Sequence, residues 1–177
     1  MNNDLIRQLF DDHSLWHANL VRDYGRLPRT VTGVSVDGKQ FLLIVEELNF
    51  NHVERHKFIK TVLESEKSTA FAYGSLVIAT TTDESNEFEE QLEIVAANSR
   101  RYICGSWRVI RDSDGFAMEL QHLCDSERDN PEKYPLAWFL TDAPVVSKSE
   151  RLRYETIWSH IRNDARFTNR KVVRQPC

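Results

Sequence analysis

Two histidine pairs have the spacing most suggestive of chemistry. His13-Ser14-Leu15-Trp16-His17 and His52-Val53-Glu54-Arg55-His56 both read His-x-x-x-His. Residues four apart share a helix face, so each pair can offer two imidazole nitrogens to one divalent metal ion. On adjacent helices, His13, His17, His52 and His56 would supply four nitrogen ligands, or three together with the Asp12 carboxylate. A metal-dependent enzyme is the activity such a site would serve. The second pair lacks the zincin order, because Glu54 lies two positions after His52 and on the far side of the helix. Glu54 also stands where an N-terminal cap partner belongs. The competing reading places His13 and His17 within an apolar stripe, and His52 and His56 beside one.

His122 and Cys124 are two apart on a predicted strand and face the same way, with Cys104 on the strand before it. That trio would suit a soft metal ion. A two-residue Asp114-Gly115 loop pairs Ser113 with Phe116, however, and sets Ile103, Trp107, Val109, Met118, Leu120, His122 and Cys124 on one face. Cys104 then falls on the other face with Ser106, Arg108, Glu119 and Gln121, and the cysteines read as small buried hydrophobes. No helix N-terminus lies near Cys104 in sequence to activate it as a nucleophile.

The six glycines exclude other chemistries. Gly25 follows a predicted helix, Gly38 and Gly115 belong to Asp-Gly turns, and Gly33, Gly74 and Gly105 fall singly in predicted strands. Phosphate-cradling loops need clustered glycines, so neither a P-loop nor a dinucleotide fingerprint is present. Tyr73 and Val77 occupy the positions where a nucleophile elbow around Ser75 would need glycine.

The elements that must position these residues follow from periodicity. Ile6, Leu9, Phe10, His13, Trp16, His17, Leu20, Val21 and Tyr24 recur at helical steps and predict a helix over Asp4–Tyr24. Gly25 ends it, and Pro28 prevents early resumption. Thr30–Val36 and Lys39–Glu47 flank Asp37-Gly38 as a hairpin. Asn51 with Glu54 forms a capping-box pattern opening a second helix that ends near Ser65. Ala70–Thr82 and Leu92–Ala97 read as strands, and the acidic stretch Asp83–Glu90 between them as a solvated connection. Tyr102–Arg111 and Phe116–Cys124 form the next hairpin. Leu136–Leu140, with Trp138 and Phe139, reads as a short helix or irregular packed segment. Ser147 and Glu150 cap a last helix carrying Tyr154, Ile157, Trp158, Ile161 and Ala165. The expected fold class is α+β: one domain with a mostly antiparallel sheet of about six strands and N-terminal, middle and C-terminal helices.

The chain has 177 residues, 28% of them charged, and a mean hydropathy of -0.50, a globular composition that can build one core without metals or disulfides. Three scattered cysteines fit a reducing cytoplasm better than a disulfide framework. Met1–Phe10 has neither the basic nor the apolar region of a secretory signal, and no apolar run approaches a membrane span. Charge is uneven: residues 148–177 hold eight bases against three acids, net +5, while residues 1–147 hold fifteen against twenty-four, net -9. Arg162, Arg166, Arg170, Lys171 and Arg174 could therefore bind nucleic acid or an acidic partner, with residues 163–177 as a flexible tail. Docking of that segment on the acidic body is the competing reading.

The stretch Ala70-Phe-Ala-Tyr-Gly-Ser-Leu-Val-Ile-Ala79, its acidic connection and Glu90-Gln-Leu-Glu-Ile-Val95 resemble the layout of small uncharacterised proteins of phages and bacterial mobile elements. The resemblance covers about a third of the chain and implies a bacterial or phage cytoplasmic setting with an accessory or interaction role. No activity is implied. Taken together, the expectation is a non-enzymatic cytoplasmic protein that binds another macromolecule, a protein or a second copy of itself. A metal enzyme built on the histidine pairs, with a divalent metal as cofactor, and a nucleic-acid binder are the alternatives.

Overall fold

The computed structural model describes residues 4–26, 28–45, 48–80, 88–127 and 145–163. Helix α1 spans Asp4–Tyr24, the range set by its apolar stripe, and buries Ile6, Leu9, Phe10 and Val21. It stops at Gly25, whose φ of +68° is left-handed backbone suited to glycine and whose N–H donates to the Val21 carbonyl at 3.0 Å. The Arg111 guanidinium adds bonds to the Val21 and Gly25 carbonyls at 3.1 and 3.2 Å, placing a cation at the negative end of the helix.

Strands β1 (Thr30–Ser35) and β2 (Gln40–Ile44) form the expected hairpin around Asp37-Gly38. Helix α2 (His52–Ser65) opens with a reciprocal cap: Asn51 Oδ1 accepts from the Glu54 N–H, and the Glu54 carboxylate accepts from the Asn51 N–H. Four long strands follow, β3 (Ser68–Thr80), β4 (Phe88–Asn98), β5 (Arg101–Asp112) and β6 (Gly115–Glu127). Helix α3 (Lys148–Asn163) starts at the second capping box, between Ser147 and Glu150.

All six strands form one antiparallel sheet in the order β2-β1-β3-β4-β5-β6. The α+β class, with helices at the N-terminus, middle and C-terminus, is as the periodicity predicts. Strand β4 begins earlier than expected, taking in acids that read as solvated connection. Their charges are met across the sheet, Glu89 by Arg108 at 2.9 Å and Glu90 by Arg111 at 3.1 Å, so the strand can carry them. The remainder of that connection, residues 83–87, and the predicted segment Leu136–Leu140 lie outside the described residues.

Strand alternation divides the interior into two cores. On one face α1 packs Ile6, Leu9, Phe10 and Val21 against Val34, Ala70, Ala72, Leu92, Ile94, Ala96, Ile103 and Val109. On the other, α2 and α3 pack Phe58, Ile59, Val62, Leu63, Tyr154 and Trp158 against Val31, Leu43, Phe71 and Ala97. The α2–α3 seam carries ion pairs Glu54–Arg153, Lys57–Glu150, Glu64–Arg151 and Glu66–Arg162. Among the described residues, no helix is long and apolar enough to cross a membrane.

Candidate metal centre

The sheet stands between the two histidine pairs. His13 and His17 lie on α1, and the His17 ring sits over Gly74 of β3, where a Cβ would collide with it. His52 and His56 lie on α2, whose buried residues pack against Phe71 on the opposite face of the same strand. The four imidazoles therefore do not converge, and the four-nitrogen site has no geometry.

His13 and His17 are buried and already committed. His17 Nδ1 donates to the His13 carbonyl at 2.7 Å, which fixes Nε2 as the acceptor for the Thr30 hydroxyl at 2.5 Å. Thr30 Oγ1 in turn accepts from His13 Nε2 at 3.3 Å, and the Thr32 hydroxyl donates to His13 Nδ1 at 3.3 Å. Every ring nitrogen has a partner when both imidazoles are neutral. Burial lowers both pKa values, that of His17 to about 4 and that of His13 well below its usual range, where the neighbouring His17 adds to the effect. The sequence showed the stripe but not the threonines that satisfy it. Thr30 and Thr32, two apart on β1 and thus on one face, are the signal that could have been used.

His52 and His56 lie side by side on the first turns of α2, with ring centroids 4.2 Å apart and planes tilted by 60°. Of the basic candidates, Arg162 pairs with Glu66 at 3.0 Å, within the protein's own α2–α3 seam. Arg166, Arg170, Lys171 and Arg174 lie outside the described residues.

The chemistry converges instead on the β5–β6 hairpin. The ligand atoms of Cys104, His122 and Cys124 lie within 4.8 Å of one another, the one group of three such donors among the described residues. The sequence reading separated Cys104 from the other two, and the hairpin register corrects it. Its turn is Ser113-Asp114, with Asp112 opposite Gly115, and the pairing runs Arg111↔Phe116, Val109↔Met118 and Trp107↔Leu120. The next pair is Ser106↔His122, so Gln121 is an extra residue, a β-bulge in β6. Beyond the bulge every side chain of β6 changes sides. Cys124 comes directly opposite Cys104, and His122 opposite Ser106, on the face away from α1. A bulge leaves no mark in an apolar/polar pattern that remains plausible without it.

The surroundings favour a thiolate at Cys124. Its sulfur lies 3.3 Å from Ser126 Oγ and 3.6 Å from Tyr102 Oη. Hydrogen bonds from Ser126 first, then Tyr102, lower the Cys124 pKa, whereas burial and the adjacent Cys124 sulfur raise that of Cys104. In the reduced protein this is an asymmetric dithiol, with both cysteines free, next to an exposed imidazole. Compared with known proteins, the chain matches no family model, no curated protein and no solved structure.

Proposed function

We propose that the protein is a non-enzymatic accessory that acts by binding another protein, and that it takes an extended basic segment of its partner along the edge of β6. The carrying observation is an asymmetry between the two sheet edges. Strand β2 ends the sheet with five residues, too short to template much pairing, whereas β6 ends it with thirteen and has no strand on its outer side among the described residues. A free edge offers backbone N–H and C=O groups to an incoming strand, and adjacent side chains select the sequence.

Leu120 and Leu123 are 51% and 48% exposed, and Glu119 and Glu127 supply negative charge on the same strand, whereas Asp125 is held by Arg7 and Arg101. Apolar contacts flanked by acids match a partner strand in which apolar and basic residues alternate. Pairing of β6 with a second copy is less favoured, because it sets acidic strand against acidic strand.

A synthetic ten-residue peptide alternating Lys and Val, with a Glu/Val peptide as control, tests the reading by backbone NMR. The Lys/Val peptide should shift amides along residues 115–127, and binding should weaken with salt and in Glu119→Lys. Shifts confined to other elements, equal binding of the acidic peptide, or no binding at all would reject it. Concentration-dependent dimerisation lost in Leu123→Asp would assign the edge to a second copy and reject the basic segment.

A further inference from the structure

We propose that Cys104, Cys124 and His122 form a binding site for one zinc-type divalent ion on the face of the β5–β6 hairpin away from α1, with an open fourth position. Three independent features of the structure support it.

The first is the donor set. Two sulfurs and one imidazole nitrogen within 4.8 Å of one another match the softness and number of ligands that zinc takes in a tetrahedral site keeping one position open.

Next is the device that assembles the donors. Were Gln121 paired regularly with Ser106 instead of bulging, His122 would fall opposite Gly105 and Cys124 opposite Ile103, on the α1 face and away from Cys104. Bulges carry a local cost in ladder hydrogen bonds and often serve to re-aim side chains. This one places two thiols and an imidazole side by side.

The third feature is the supporting shell. Ser126 and Tyr102 hydroxyls reach the Cys124 sulfur, as outer groups do around a metal thiolate. Helices α2 and α3 pack on this face of the sheet, with Ala97 buried in that core and Tyr102 partly buried against it. His122 is exposed and both cysteines are partly so, which gives an ion access and leaves room for water as fourth ligand. Binding replaces the two thiol protons by the metal: two S–H bonds are lost, two S–metal bonds form, and two protons pass to solvent. No oxidant or reductant takes part.

The test uses the full chain, purified without a histidine tag, freed of metal and kept reduced. Titration with Co(II) should give one equivalent with sulfur-to-cobalt charge-transfer absorption and tetrahedral d–d bands, both abolished by Zn(II). Cys104→Ser and Cys124→Ser should each lose the complex, His122→Ala should weaken it, and Ser126→Ala should weaken it about tenfold. Cys177→Ser and His52→Ala/His56→Ala should leave it unchanged. Where a cysteine variant fails to fold by circular dichroism, ¹¹³Cd NMR of the unaltered protein decides, because two sulfur ligands move the cadmium resonance far from its position with nitrogen and oxygen ligands. Absence of the charge-transfer band, its survival in a folded Cys104→Ser/Cys124→Ser variant, or a cadmium shift without sulfur would overturn the proposal.

Discussion

His17 shows at the scale of single residues how far spacing can mislead. Its four-residue interval from His13 is what a metal pair requires, yet the same interval also stacks two side chains inside a helix–sheet interface. Partners decide between the two, and partners come from β1, thirteen residues away at the nearest. Because the folded pKa of His17, about 4, lies below its unfolded value near 6.5, the unfolded chain binds more protons between those values. The neutral ring's contribution is therefore complete above about pH 6.5 and is lost as pH falls toward 4. His17 alone should remove about 2 kcal/mol between pH 7 and pH 5, with His13 acting in the same direction. Urea midpoints across that range check this, and His17→Gln should flatten the profile. Gly74 is the other half of the same fit. Gly74→Ala drives a methyl group into the His17 ring and should cost about 1–3 kcal/mol, read as a lowered urea midpoint at pH 7.

Legibility varied among the elements with the locality of the signal. The helix boundaries were readable because stripes, caps and stop signals act within a turn, as Asn51 with Glu54 and Ser147 with Glu150 confirm. Glu150 has a second role: the Lys57 ammonium, then the Ser147 N–H, hold its carboxyl down to about 2, tying the start of α3 to α2. Asn51→Ala should lower stability by about 1 kcal/mol, measured by thermal or urea unfolding. Arg111→Ala removes the bonds to the Val21 carbonyl in the last turn of α1 and to the Gly25 carbonyl just after it and should cost a similar amount, with hydrogen exchange rising first at the C-terminal turn of α1. Strand ends and register were less readable. Glu89 and Glu90 look like loop until the arginines of the neighbouring strand are placed beside them. Gln121 looks like any polar strand residue until the pairing is counted. The metal trio was thus visible as residue types and hidden as geometry.

For the molecule as a whole, the sheet is common to both cores, and neither helical layer can leave without exposing one of its faces. Ile94→Ala on the α1 side and Leu63→Ala, on α2 in the opposite core, should each cost about 3 kcal/mol. In both variants a single transition should be seen, with circular dichroism and tryptophan fluorescence coinciding; separated transitions would show the layers unfolding independently. The number of strands could be read from the sequence, but their order could not, since placing β1 between β2 and β3 depends on contacts far apart in the chain. One property of β3 reaches beyond stability. Phe71 belongs to the α2–α3 core and Ala72 to the α1 core, so neighbours in sequence answer to different structural surroundings. Along this strand the chain writes two texts in alternate letters. Either can be revised with little regard to the other, and substitutions at 71 and 72 should combine almost additively although one peptide bond joins them.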